Sequence, residues 1–406
     1  MGAAALAPPR PAPGCARGEP VSRGTPSPPA PLAVELRLRR AGLDIQAQFR
    51  VAPGHVCALV GRPGSGKTAL MQCAAGLIPA QSGRVSVGTD VLYDSPTGLN
   101  SPPESRRFAW VDGRGLLFPH MNVRRNLEYG YKRAAAPRHQ IDYESVLDWL
   151  DLKSLLALWP HQLAPAQRQR VALARALLSM PSALFLRDPL GQVPTHEQPA
   201  LLELLGEMRT RFRLPTVFMS PRIDEAIRLA DDVVILHEGR VASAGPLARV
   251  LSDVSLSTFL EGVHAGCVLE GRVSQHDIEW LLTEVDVAGQ RVTIPALLQA
   301  EGKRVRLKIR ARDINIHREA LPDSSISNQL RGRITQVMLA GNNGAYGAVA
   351  VELHRLLDLH DSNPPPAEAV VWSLLTRRTI EQMGLAPGQD CHVSFKAMAV
   401  TVAPRA

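Results

Sequence analysis

Gly61-Arg62-Pro63-Gly64-Ser65-Gly66-Lys67-Thr68 fits the phosphate-loop pattern G-x-x-x-x-G-K-[ST]. Before it runs His55-Val56-Cys57-Ala58-Leu59-Val60, short and apolar, which predicts a buried strand. After it runs Ala69-Leu70-Met71-Gln72-Cys73-Ala74-Ala75, which predicts a helix. Strand, glycine-rich loop and helix in that order supply the structural context the motif requires. Glycine permits the tight turns that aim backbone N–H groups at phosphate oxygens. The helix that follows turns its partially positive N-terminus toward the same anion. The whole stretch from Gly61 to Thr68 is therefore the expected cradle for nucleotide phosphates. Lys67 is expected to reach the β- and γ-phosphates of ATP, and Thr68 to offer its hydroxyl to Mg2+.

Outward from this loop, residues 55 to about 240 alternate between strand and helix patterns, the signature of an α/β domain with a largely parallel sheet. Ala183-Leu184-Phe185-Leu186, Thr216-Val217-Phe218-Met219 and Asp232-Val233-Val234-Ile235-Leu236 read as strands, the last closed by a turn at Glu238-Gly239. Leu201, Leu202, Leu204, Leu205, Met208 and Phe212 recur at helical spacing within Gln198–Phe212. Leu36–Val51 alternates in part and reads as edge strands. Residues 1–31 are rich in Pro, Ala and Gly and predict a disordered tail. The α/β nucleotide-binding domain is placed at 32–255.

From about residue 263 the pattern changes to short alternating strands between Gly, Asp and Pro turns, so 263–402 reads as a small all-β domain of barrel type. The loop Asp361-Ser362-Asn363-Pro364-Pro365-Pro366 interrupts it. Arg304-Val305-Arg306-Leu307-Lys308-Ile309-Arg310-Ala311-Arg312 alternates strictly, giving one basic and one apolar strand face. A solvated basic face is preferred there over an anion site.

The 406 residues carry 46 basic and 38 acidic side chains, a net charge of +8. That balance suits an anionic partner. The basic residues are dispersed, however, and no reading motif or aromatic stacking pattern accompanies them, so no nucleic-acid partner is expected. Cysteines at 15, 57, 73, 267 and 391 form no C-x-x-C pair and no ligand spacing, as in a reducing cytoplasm. No apolar stretch is long enough for a bilayer, and the first residues lack the parts of a signal peptide. A membrane role is expected to come through a partner.

Several further stretches, in the right order, resemble the ATP-binding subunits of ABC transporters. Leu117-Phe118-Pro119-His120-Met121-Asn122-Val123 is similar to the segment after that family's Q-loop. Gln167-Arg168-Gln169-Arg170-Val171-Ala172-Leu173-Ala174-Arg175-Ala176-Leu177-Leu178 resembles the helix after the signature motif, and Asp224-Glu225-Ala226 with Leu229-Ala230-Asp231 the segment after the switch histidine. Val305–Asp313, Ser325-Ile326-Ser327-Asn328-Gln329-Leu330-Arg331-Gly332, Thr376-Arg377-Arg378 and Leu385-Ala386-Pro387-Gly388 resemble the carboxy-terminal region of molybdate-importer ATPases. That region is a Mop-like, OB-type domain. The resemblance implies a homodimer on the inner face of the cell membrane, docked on a permease and served by a periplasmic oxyanion-binding protein. It also implies molybdate as ligand of the β domain, with Ser325, Asn328 and Arg331 as candidate ligands, although Ser327 stands where an arginine is common.

Laid on the family's motifs position by position, the chain departs from them outside the phosphate loop. The Q-loop glutamine falls on Gly113. The signature Leu-Ser-Gly-Gly-Gln falls on Leu163-Ala164-Pro165-Ala166-Gln167, without the serine hydroxyl and with a proline that has no N–H. The Walker B aspartate that holds Mg2+ falls on Arg187. The water-polarising glutamate falls on Asp188, the one catalytic carboxylate candidate left. The D-loop aspartate falls on Pro194 and the switch histidine on Pro221. Three readings follow: an importer ATPase subunit that keeps nucleotide but hydrolyses it poorly, a non-hydrolysing relative that senses or sequesters an oxyanion, and, least supported, a basic nucleic-acid-binding protein.

Overall fold

Alternation of buried and exposed residues along the first two predicted strands carries straight into the structure. In Leu32–Arg40 (β1) the residues Leu32, Val34, Leu36 and Leu38 point inward, and Leu43–Val51 (β2) pairs with it antiparallel. The structure is a computed structural model that describes residues 30–133, 141–253, 266–296, 299–339, 345–355 and 369–404. Residues 1–29 of the expected tail, the loop at 361–366 and the expected domain junction at 255–263 lie outside the described residues.

The α/β domain continues with Val56–Val60 (β3), Lys67–Ala74 (α1), Ser82–Val87 (β4), Asp90–Asp94 (β5), Leu99–Asn100 (β6), Pro103–Arg106 (α2) and Phe108–Asp112 (β7). Then come Val123–Tyr131 (α3), Tyr143–Trp149 (α4), Pro165–Leu178 (α5), Ala183–Arg187 (β8), Gln198–Phe212 (α6), Thr216–Met219 (β9), Ile223–Leu229 (α7), Asp232–His237 (β10), Arg240–Pro246 (β11) and Leu247–Leu251 (α8). All eleven strands join one sheet in the order β6-β5-β4-β1-β2-β11-β10-β3-β9-β8-β7. The run β10-β3-β9-β8-β7 is parallel, as the strand–helix alternation implies. The β10–β11 hairpin turns through Glu238 and Gly239, both at positive φ.

One expectation is corrected here. β1 and β2 are not edge strands: β4 flanks β1 and β11 flanks β2. Alternation marks a strand with one covered face. It carries no information on whether another strand pairs alongside.

The β domain comprises Gly266–Asp277 (β12), Leu282–Val287 (β13), Gln290–Pro295 (β14), Arg304–Arg310 (β15), Asn315–His317 (β16), Asn328–Leu339 (β17), Tyr346–Leu353 (β18), Val370–Thr376 (β19), Arg377–Met383 (α9), Asp390–Phe395 (β20) and Val400–Pro404 (β21). Two five-stranded antiparallel sheets, β14-β13-β12-β15-β21 and β16-β20-β17-β18-β19, share one apolar core with Trp372 and Phe395 at its centre.

The basic face of β15 is a second correction. It is not solvated. Arg306 is 2% exposed and Lys308 8%. Arg306 donates to the carbonyls of Ile227 (3.1 Å) and Ala230 at the carboxy-terminal end of α7, and to Glu270 (3.1 Å). Lys308 pairs with Asp224 in the first turn of α7. A cation at a helix C-terminus satisfies carbonyls that have no intrahelical partner and opposes the negative end of the dipole. The middle of the strand face, at Arg306 and Lys308, is therefore part of the seam between the two domains.

Candidate nucleotide site

The parallel strands β3, β9, β8 and β7 end at one edge of the sheet, where ligands of open α/β sheets bind. Their register there forms a row: Leu59 on β3 opposes Met219 on β9, Met219 opposes Arg187 on β8, and Arg187 opposes Asp112 on β7. The loop Gly61–Thr68 leaves the sheet at the β3 end of this row.

That loop has the geometry of a cradle. Gly61, Gly64 and Gly66 sit at φ of 150°, 84° and 100°. A Cβ on Gly61 would lie 2.2 Å from the carbonyl oxygen of Leu236, so only glycine fits. Arg62, Pro63 and Gly64 are exposed at its tip, and Ser65 is buried under it. Gly66 caps α1 with no side-chain hydrogen bond. Lys67 Nζ donates to the carbonyls of Gly61 (2.7 Å) and Arg62 (2.8 Å) and to Ser65 Oγ (3.2 Å), which folds the ammonium back over the loop. Burial lowers its pKa. Thr68 donates to the thioether sulfur of Met219 at 3.7 Å.

At the β8 and β7 ends the chemistry differs. Arg187 Nη1 donates to Asp112 Oδ2 at 2.7 Å, and Arg114 Nε donates to Asp112 Oδ1 at 2.9 Å. Asp112 is 6% exposed. Burial opposes its charge, but the hydrogen bonds from Arg187 and Arg114 outweigh burial and hold its pKa below the usual aspartate value. Arg187 Nε is buried and has no hydrogen-bond partner among the described residues. Because successive strand residues face opposite ways, Arg187 shares its face with Phe185, Leu59 and Met219, the face that α1 covers. Asp188, the first residue past β8, sits at φ 47°, and its N–H donates to the Met219 carbonyl at 2.6 Å. Burial raises the Asp188 pKa, Arg222 and Arg187 pull it down, and Asp112 adds to the rise. A cavity of about 360 Å³ opens between Asp112, Gly113, Arg114, Arg187, Asp188, Gly191 and Gln192.

Gly113 is fixed by space. A Cβ there would lie 1.9 Å from the Asp188 carbonyl oxygen, and the Gly113 N–H donates to the Arg187 carbonyl at 2.8 Å. No side chain fits this position without moving the backbone. Ala164 precedes α5 and Pro165 is its first residue, where the missing N–H costs the helix nothing. Gln167 accepts from the Ala164 N–H at 3.0 Å. Pro221 lies between Ser220 and Arg222. Arg222 pairs with Glu225 and donates to Gln198 at 2.9 Å, so its charge is turned into α7 and α6. Pro194, one residue past buried Val193, accepts from the Glu197 N–H at 2.9 Å.

In the β domain the three candidate oxyanion ligands do not converge. Asn328 is 1% exposed, and its amide bonds both the N–H (2.7 Å) and the carbonyl (2.8 Å) of Thr293, stitching β14 to β17. Arg331 is exposed on the opposite face of β17, with its backbone held by Gln290. Ser325 is exposed in the bend before the strand. Among the described residues no cluster of His, Cys, Asp and Glu has metal-holding geometry, and no helix is long and apolar enough to cross a membrane. Asp112 and Met219 are the site residues that motif reading missed. Neither belongs to a motif, and only the register row reveals them.

Comparison with known proteins places these features in context. The ABC transporter family description matches residues 45–191. The molybdenum import ATP-binding protein ModC 1 of Azotobacter vinelandii is 35% identical over 370 residues, 91% of this chain and 98% of that protein. The molybdenum import ATP-binding protein ModC of Rhodospirillum rubrum is 34% identical over 371 residues, 91% of this chain and 97% of that protein. Among solved structures, cbiO1 from Clostridium perfringens, part of the ABC transporter complex cbiONQ, covers 57% of this chain and 96% of its own at 23% identity and a TM-score of 0.47.

Proposed function

The chain belongs to the family of ABC transporter ATP-binding subunits that includes the molybdenum import ATP-binding proteins, and from that premise we propose that it binds ATP as the nucleotide-binding subunit of a molybdate-type importer while hydrolysing it far more slowly than an intact relative. The observation that carries this reading is the ion pair from Arg187 to Asp112, set in one register row with an intact phosphate loop. Gly61–Thr68 supply backbone N–H groups, a helix N-terminus and the Lys67 ammonium, which together hold phosphate. ATP, when bound, supplies the transferable phosphoryl group.

Phosphoryl transfer depends on positioning and on neutralising the transferred group. Losing one electrostatic stabiliser typically costs ~10²–10³ in rate. Here a guanidinium stands at the Walker B aspartate, the Q-loop position holds no side chain, and Pro221 has no donor. These losses act on one transition state and need not multiply. Asp188 is the remaining carboxylate, just past the end of β8 in the cavity that Arg187 and Asp112 also line.

The proposed partners are an integral-membrane permease, a periplasmic oxyanion-binding protein and a second copy of the chain, with the subunit held peripherally on the inner face of the membrane. The β domain is the proposed oxyanion domain. Ser325, Asn328 and Arg331, the candidates there, do not converge within one copy of the chain, and Asn328 serves as a scaffold between strands. The test is nucleotide affinity of the purified chain and its Lys67→Ala variant, with phosphate release followed on the same samples. Binding that Lys67→Ala weakens, with turnover far below that of an intact relative, supports the reading. Affinity unchanged by Lys67→Ala overturns it.

A further inference from the structure

We propose that the nucleotide site of this chain needs no divalent cation, and that Arg187 supplies the positive charge that a metal ion would bring to the terminal phosphates. The inference rests on the nucleotide-binding reading above and deepens it.

The residues present do not fit Mg2+. That ion takes oxygen ligands in near-octahedral geometry and is usually held by one or two carboxylates plus phosphate oxygens. The Thr68 hydroxyl, its first expected ligand, is turned to the Met219 thioether, a soft donor poorly matched to a hard cation. The next residue in the register row is Arg187, a permanent cation that repels a second one. Asp112, the nearest carboxylate in that row, is engaged on both oxygens by Arg187 and Arg114. Asp188, the first residue past β8, lines the same cavity as Arg187 and sits within reach of its charge, so a cation there would compete with a guanidinium.

The same residues do fit an anion. The cavity at the β7 and β8 ends is lined by two guanidinium groups, Arg114 and Arg187, and one of its two carboxylates is already neutralised by both. Arg187 shares the α1 face of the sheet with Phe185 and Met219, and Met219, its register neighbour, touches Thr68 of the phosphate loop. Its buried Nε–H has no hydrogen-bond partner among the described residues, a donor left over after the Asp112 pair is made. A guanidinium offers phosphate planar, bidentate donors in place of metal coordination.

The experiment is equilibrium binding of ATP to the full chain in Mg2+ buffer and in excess EDTA. The account expects affinities within about threefold of each other. A loss of about tenfold or more in EDTA overturns it. Arg187→Asp is expected to make binding depend on Mg2+, while an Arg187→Asp chain that binds equally in both buffers overturns the role of Arg187. Should that variant not fold, Mn2+ gives an independent reading on the unaltered chain. ATP affinity is expected to stay flat as Mn2+ is titrated in, and affinity that climbs with Mn2+ overturns the proposal. ATP binding in neither buffer removes the nucleotide-binding reading itself, and the inference with it, which separates that failure from a metal-dependent site.

Discussion

At the end of β3, Gly61, Gly64 and Gly66 hold a loop whose proposed function resides in its backbone; one, two and three strands away, Pro221, Arg187 and Asp112 occupy places whose function would reside in side chains. The first region binds through N–H groups, a helix end and one ammonium. It persists as long as three glycines and a lysine persist. On the proposed reading the second region would need a carboxylate, an amide and an imidazole around one phosphate, and Arg187 and Pro221 change that chemistry while the strand pairing stays regular. β8 still pairs residue for residue with β7 and β9. On that reading a fold keeps its phosphate cradle and its sheet while hydrolytic groups are exchanged, because loop backbone and strand pairing do not depend on those side chains.

The largest expected effect strikes the second region. Gly113→Gln, which puts a glutamine where the resemblance places the family's Q-loop residue, should destabilise the chain by about 3 kcal/mol or more, at the high end of overpacking because the obstacle is backbone. Denaturant unfolding measures this, and a neutral result would mean that the β7–β8 ends open readily enough to accept a glutamine. Next comes the domain seam that carries the region's α7. Arg306→Ala leaves Glu270 and two helix-end carbonyls without their cation and should cost about 3 kcal/mol, read as a lower unfolding midpoint. A change below ~0.5 kcal/mol would return β15 to the status of an ordinary surface strand. In the first region, Lys67→Ala should leave the fold unaltered and weaken ATP by ~10- to 100-fold, the range of one charge-assisted hydrogen-bonded contact. Calorimetry decides this.

The smallest effect is a pH dependence. Asp112 has its pKa held below the ordinary 3.8, so its ion pair contributes fully above that value. The contribution is lost as pH falls from 3.8 through the folded-state value. Asp112→Asn should flatten that part of the acid-unfolding curve. Asp188, shifted the opposite way, gains stability as it takes its proton, so Asp188→Asn is the control that separates the two.

The backbone-built region was legible in the sequence because its requirements are local. Gly61 through Thr68 form eight consecutive residues, and the flanking apolar runs announce β3 and α1. The helix over Gln198–Phe212 and the strands at 183, 216 and 232 followed from periodicity for the same reason. What the sequence concealed lies in pairings across long separations. Arg187 meets Asp112 across 75 residues, and Arg306 meets Ile227 across 79. Strict alternation from Arg304 to Arg312 revealed that the basic residues share a face. It carried no sign that a helix end some eighty residues upstream covers that face. Asn328 was legible as polar at a strand entrance, yet its partner Thr293 lies on β14, which no motif connects to it.

The contrast between the two regions comes down to one quantity, the turnover of nucleotide that is demonstrably bound. Single-turnover phosphate release from saturated protein, in Mg2+ and with the permease present, measures it. The account predicts stoichiometric binding and a hydrolysis rate at least ~10²-fold below that of an intact family member assayed alongside. Turnover equal to that relative's would show that Arg187, Gly113 and Pro221 leave catalysis intact, and would contradict it.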